Sequence, residues 1–133
     1  MDITPYFECI YQVHPTTIEH IIKNESSFRP LAINVNRLPN QSAPKITQPK
    51  TQEEAVKMAS YYLSLGHSVD LGLMQINTTN LRAYKVSMED MFDPCQNITV
   101  GSKILYEGYQ RALRINSEPD MALKIALSYY NTG

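Results

Sequence analysis

Apolar residues recur at helical spacing in four stretches of this 133-residue chain, and each stretch opens on a start signal. Thr16-Thr17-Ile18-Glu19, behind Pro15, reads as a capping box. Ile18, Ile21, Ile22 and Glu25 then share one stripe, and Pro30 biases Arg29 away from helix, so the first helix is expected to end near Ser27. Thr51-Gln52-Glu53-Glu54 is a second capping box; Ala55, Met58, Ala59, Tyr62 and Leu63 continue the stripe until Gly66 supplies a stop. Asp93-Pro94 opens a long amphipathic helix through Ile98, Gly101, Ile104, Leu105, Tyr109 and Leu113. Ser117-Glu118-Pro119 starts the last, with Met121, Leu123, Ile125, Ala126, Leu127 and Tyr130 as its apolar residues.

Between these stretches the pattern weakens. Residues 29–50 carry Pro30, Pro39, Pro44 and Pro49, with slight alternation at Leu31, Ile33 and Val35, and read as irregular chain with room for a short hairpin. The run Leu71-Gly72-Leu73-Met74-Gln75-Ile76 is too short for a helix; its glycine suggests a strand or turn that comes close to another part of the backbone. The fold class that follows is mainly α, a single helical domain with at most a small β element, without repeats or a linker.

Charge and composition narrow the function. Twelve Lys+Arg against thirteen Asp+Glu give a formal charge of −1, with no basic run, which disfavours nucleic acid as a partner. No stretch approaches the roughly 18 consecutive apolar residues of a membrane span, and the first ten residues lack the features of a signal peptide. The chain is therefore expected either in the cytosol or downstream of a removed leader. Cys9 and Cys95 are compatible with two buried thiols or with one long-range disulfide.

Glu25 is the first chemical candidate, because a carboxylate on an apolar stripe has its pKa raised toward the working range of a general acid. The competing reading is a helix-end glutamate, exposed or bonded to Lys23 or Arg29. His14, His20 and His67 have no ligand spacing, so no metal site is expected, and nothing calls for a cofactor. Ser26 and Ser128 lack a nucleophile elbow, and the five glycines form no phosphate loop. Nine tyrosines, with pairs at Tyr61-Tyr62 and Tyr129-Tyr130, suit core packing or a carbohydrate groove.

Three ordered segments carry a family resemblance. Glu25-Ser26-x-Phe28, then Gly72-Leu73-Met74-Gln75-Ile76-Asn77, then Ala126-Leu127-Ser128-x-Tyr130-Asn131-Thr132-Gly133 resemble the motifs of the soluble lytic transglycosylases, lysozyme-like enzymes that cleave peptidoglycan. His14-Pro15-x-Thr17, the segment Pro30 to Asn36, Gly66 to Gly72 and Asp93-Pro94-Cys95-x-Asn97 are similar to the specialised transglycosylases of type IV secretion and conjugation systems. The resemblance covers nearly the whole chain, residues 1–133.

The resemblance implies a lysozyme-like α+β fold and a role for each matching residue. Glu25 corresponds to the sole catalytic acid/base and Ser26 to a supporting neighbour; Met74, Gln75, Asn77, Tyr130 and Asn131 correspond to residues at the sugar groove. It implies cleavage of the β-1,4 bond between N-acetylmuramic acid and N-acetylglucosamine with formation of a 1,6-anhydro end. The partners implied are glycan strands and secretion or conjugation machinery, met in the periplasm by a monomer whose leader was removed. A Cys9–Cys95 disulfide follows from the same resemblance and compartment. The family continues beyond the motif ending at Gly133, so further chain is expected there. Two alternatives stay open: a hydrolytic lysozyme in which Asp70 is the second carboxylate, and a non-catalytic peptidoglycan-binding scaffold. Asp70 is expected to point away from the groove or to be held by structural hydrogen bonds.

Overall fold

Helix α1, Pro15–Ser26, begins where its proline demands. Proline has no N–H to leave unpaired at a first helical position, so the cap falls on His14, whose Nδ1 accepts from the Thr16 N–H at 3.1 Å. The Thr16–Glu19 capping box expected from the sequence is thereby displaced, and Glu19 stays exposed. At the other end Ser27 and Phe28 both adopt positive φ, 53° and 60°, which turns the chain sharply after Glu25 and Ser26. The structure, a computed structural model, describes residues 1–132; Gly133, the end of the third motif, lies outside them.

Three short strands follow the chain in a 3-stranded antiparallel sheet of order β1-β2-β3: β1 Ile33–Val35, β2 Val69–Leu71 and β3 Ile76–Asn77. Period-2 alternation sends Ile33, Val35, Val69, Leu71 and Ile76 into the core. The intervening Asn34, Asp70 and Asn77 fall in one cross-strand row, Asn34 opposite Asp70 and Asp70 opposite Asn77. No hairpin forms within residues 29–50; β1 finds its partner in β2 instead. The proline-rich return contributes no strand, yet Gln48 closes the sheet edge: its Oε1 accepts from the Ile33 N–H at 2.9 Å and its Nε2 donates to the Ile33 carbonyl at 2.8 Å.

Helix α2, Gln52–Ser64, starts as expected, with the Thr51 hydroxyl accepting from the Glu54 N–H at 3.1 Å. Gly66, at φ 94°, ends it. After the short α3, Leu81–Tyr84, the 22-residue α4, Pro94–Ile115, runs through the molecule and packs along α5, Pro119–Thr132. Glu118 caps α5, its carboxylate accepting from the backbone of Asp120 and Met121 at 3.2 and 2.8 Å. Ile18 and Ile22 of α1, Ile98 and Leu105 of α4, and Leu71, Leu73, Met74 and Ile76 are all fully buried, so the sheet and the long helices share one core.

The N-terminal 3-10 helix, Thr4–Cys9, is fastened to α4 by a Cys9–Cys95 disulfide with Cα atoms 5.4 Å apart. The Thr99 hydroxyl also donates to the Cys9 carbonyl at 2.8 Å, and the Ser102 hydroxyl accepts from the Tyr11 N–H at 2.8 Å. A cross-link spanning 86 residues removes unfolded-state entropy worth about 4.5 kcal/mol. None of the described helices is long and apolar enough to cross a membrane.

Candidate active site

Glu25 occupies the last turn of α1, just before the left-handed pair Ser27-Phe28 carries the chain away. Its carboxyl faces a groove of about 1030 Å³ between the polar row of the sheet and the α4–α5 pair. The side chain is half-buried, and among the described residues no hydrogen bond or ion pair holds it. Burial, and then the negative charge of Asp70, raise its pKa above the ordinary glutamate value. A carboxyl with a raised pKa beside an open groove is suited to general-acid work. The reading of Glu25 as a helix-end residue paired to Lys23 or Arg29 finds no support, since Arg29 instead donates to the Ser26 carbonyl at 3.0 Å.

Asp70 does not point away from the groove; it lines it. Both of its carboxylate oxygens are engaged, Oδ1 by the Asn77 amide at 2.8 Å and Oδ2 by the Asn34 amide at 3.1 Å. Asn77 itself has no spare capacity. Its second donor contact is the Ser68 hydroxyl at 3.2 Å, and its Oδ1 accepts from the N–H and hydroxyl of Thr79. The residue that the sequence placed at the sugar therefore also fixes Asp70.

The turn between β2 and β3 is the most constrained backbone of the site. Gly72 has φ 74°, and a Cβ there would fall on the Met91 carbonyl oxygen and the Asn97 amide. Asn97 is fully buried in the first turns of α4 and holds this segment twice, its Nδ2 donating to the Leu71 carbonyl at 2.9 Å and its Oδ1 accepting from the Met74 N–H at 2.8 Å, while the same Nδ2 ties in the Met91 carbonyl at 2.8 Å. Gln75, itself at φ 53°, spends its amide nitrogen on the carbonyls of Ala32 at 3.1 Å and Gly72 at 2.9 Å. It lines the groove with its Oε1 left to accept.

Ser26, expected as the supporting neighbour of Glu25, and Met74, expected at the sugar groove, are both buried and do not line it. Met74 is fully buried and packs on Gly101, where a Cβ would strike its sulfur. Ser26 is buried as well, its hydroxyl turned back to the Ile22 carbonyl at 3.1 Å. Both shape the floor instead of touching the groove. Tyr130 lines the groove and donates its hydroxyl to the Met74 carbonyl at 2.7 Å, joining α5 to the turn. Burial, with the charges of Glu25 and Asp70 behind it, holds that phenol well above its usual pKa, so it remains a donor. Asn131 lines the same groove.

Sequence reasoning gave no role to Asn34 or Asn97, which hold Asp70 and the β2–β3 turn, nor to Arg111. Asn34 was signalled by its place between the inward Ile33 and Val35, and Asn97 by being a polar residue beside the apolar Ile98 stripe. Arg111 lines the groove from α4.

A small three-stranded sheet set against long helices, with a half-buried glutamate at a helix end facing the sheet's polar row, is a lysozyme-like arrangement. The chain belongs to the transglycosylase SLT domain family, whose match covers residues 5–133. It is 36% identical over 129 residues to the type IV secretion system protein virB1 of Brucella suis biovar 1 (strain 1330), covering 95% of this chain and 51% of that protein. It is 31% identical over 126 residues to protein virB1 of Agrobacterium fabrum (strain C58), covering 95% of this chain and 49% of that protein. The chain thus spans about half the length of the curated relatives it matches. No solved structure matches it.

Proposed function

We propose that this domain is a peptidoglycan lytic transglycosylase in which Glu25 is the sole catalytic residue. The observation that carries the reading is the contrast between two carboxylates in one groove. Glu25 is half-buried, unpartnered among the described residues and raised in pKa, whereas Asp70 has both oxygens bound by amides. A proton donor is favoured by a raised pKa and by freedom from competing partners, as at Glu25, whereas the two amides fix Asp70 in place, where its charge helps to raise the Glu25 pKa.

The chemistry then runs through one group. Glu25 gives its proton to the glycosidic oxygen between N-acetylmuramic acid and N-acetylglucosamine, and the C1–O bond breaks with oxocarbenium character. The 2-acetamido group of the muramoyl unit stabilises that centre. The Glu25 carboxylate next takes the proton of the muramoyl C6 hydroxyl, whose oxygen bonds to C1 of the same sugar. Intramolecular attack draws on proximity and needs no activated water. The products are a free 4-hydroxyl and a 1,6-anhydro end, and Glu25 is protonated again.

Around this step Tyr130 ties α5 to the Met74 carbonyl, Asn97 fixes the turn, and the Gln75 Oε1 and Asn131 are placed to meet acetamido and hydroxyl groups. The relatives named as type IV secretion proteins support a role in opening the wall locally for a secretion or conjugation apparatus. The disulfide fits the periplasm, where such a wall is met. A monomer that needs neither metal nor cofactor suffices for this chemistry.

Digestion of purified sacculi tests the assignment. Wild-type protein is expected to release soluble muropeptides, and Glu25→Gln, which keeps the shape but has no transferable proton, to release none while retaining its circular dichroism spectrum. A folded wild-type protein that binds sacculi without cutting them would indicate a scaffold instead.

A further inference from the structure

The groove holds two acids and, among the described residues lining it, a single cation, Arg111. On an α-helix the natural partner of an arginine is the acid one turn earlier, here Glu107. That pairing is not made. The Glu107 carboxylate instead accepts from the Tyr84 hydroxyl at 2.8 Å, and Arg111 has neither an ion pair nor a hydrogen bond to another described side chain. Its guanidinium lies back along α4 over Gly108, whose absent side chain keeps the helix surface low: a Cβ built there would stand 3.8 Å from Nη2. The result is an exposed fork of donors with no hydrogen bond or ion pair among the described residues, its charge felt at Tyr84, on the α4 wall of a sugar-sized groove, with Asn131 lining the same groove from α5.

A guanidinium fork is matched to a planar carboxylate, which it binds through two parallel N–H···O bonds. The sugar rings and acetamido groups of the glycan are uncharged. The carboxylates of the proposed substrate are carried by the substituent on the muramoyl O3. We propose that Arg111 is the anion-recognising group of the groove, binding a carboxylate on that substituent and so selecting muramoyl units over plain N-acetylglucosamine. Two sources share this chemistry. In peptide-bearing strands the lactyl group is an amide and the carboxylates belong to the stem peptide; in peptide-stripped strands the lactyl carboxylate itself is free.

This inference rests on the proposed function, and binding separates the two. The Glu25→Gln protein, which holds substrate without cutting it, is titrated with three soluble probes: N-acetylglucosamine hexasaccharide, peptide-stripped glycan chains and peptide-bearing glycan chains. Adding Arg111→Gln is expected to weaken binding tenfold or more to at least one carboxylate-bearing probe, less than twofold to the hexasaccharide, and to flatten the salt dependence. Arg111→Lys is expected to recover part of the loss. A loss confined to stripped chains assigns the lactyl carboxylate, and one confined to peptide-bearing chains assigns the stem peptide. In turnover, Arg111→Gln in the otherwise native protein is expected to raise KM with kcat kept. An equal effect on all three probes, or no effect on any, would overturn the role of Arg111 alone. If the Glu25→Gln parent binds none of the glycans, the proposed function falls with it.

Discussion

Asn77 stands directly opposite Asp70 across β2 and β3, and its amide donates to one Asp70 oxygen at 2.8 Å while Asn34, opposite on the other side, donates to the second at 3.1 Å. A carboxylate held from both flanks is fixed in position beside the groove, with one amide hydrogen bond on each oxygen. Its charge is the second cause, after burial, of the raised Glu25 pKa. Asp70→Asn is therefore expected to leave the type of product unchanged and to move the alkaline limb of the pH–rate profile to lower pH, because Glu25 gives up its proton sooner. An unchanged alkaline limb would mean that Asp70 does not act on Glu25.

The Glu25 carboxyl has a cost that stability measurements can read. A carboxyl whose pKa rises on folding binds its proton more tightly in the folded chain, so its contribution is most favourable below the unfolded value near 4.5 and is lost as pH climbs through the raised folded value. Glutamine does not titrate. The Tm advantage of Glu25→Gln over wild type is thus expected to be smallest near pH 4 and to grow upward from there. A difference that stays flat between about pH 4 and pH 8 would contradict the raised pKa.

The turn that carries Gln75 depends on Gly72 and Asn97 together. Gly72→Ala forces a side chain at φ 74° into the Met91 carbonyl and the Asn97 amide, which is expected to cost about 2–4 kcal/mol. Asn97→Ala strands the Met74 N–H and the carbonyls of Leu71 and Met91 in the core, a loss on the order of 2–4 kcal/mol. Urea midpoints check both, and a change under about 1 kcal/mol in either would show that the turn is held by other means.

Much of the helical frame was legible in the chain. Thr51 with Glu54 marks a start that the structure keeps with its capping bond, and Pro94 opens α4 at a first helical position, where its missing N–H costs nothing, although Asp93 makes no side-chain cap. His14 was not legible as a cap, since histidine is an uncommon one and Thr16 offered a better-known alternative. The sheet was read only as a possibility. Its strands are two or three residues long, and Ile33 pairs with Leu71 far along the chain, a register no local pattern states. Glu25 was visible as an acid on an apolar stripe, whereas Asn34 and Asn97 act through long-range hydrogen bonds that only the folded chain assembles. Ser26 and Met74 show the converse: a motif marks residues that build a site without saying which of them face it.

Mass analysis of the first muropeptides released from purified sacculi tests the central claim most directly. A transglycosylase and a lysozyme break the same bond, but the attacking oxygen comes from the muramoyl C6 hydroxyl in one and from water in the other. With Glu25 acting alone, the initial products are expected to carry 1,6-anhydromuramic ends, each lighter by one water than the hydrolysis product, in wild type and in Asp70→Asn alike. A predominance of reducing ends in those first products would contradict the account and make Asp70 a second catalytic residue.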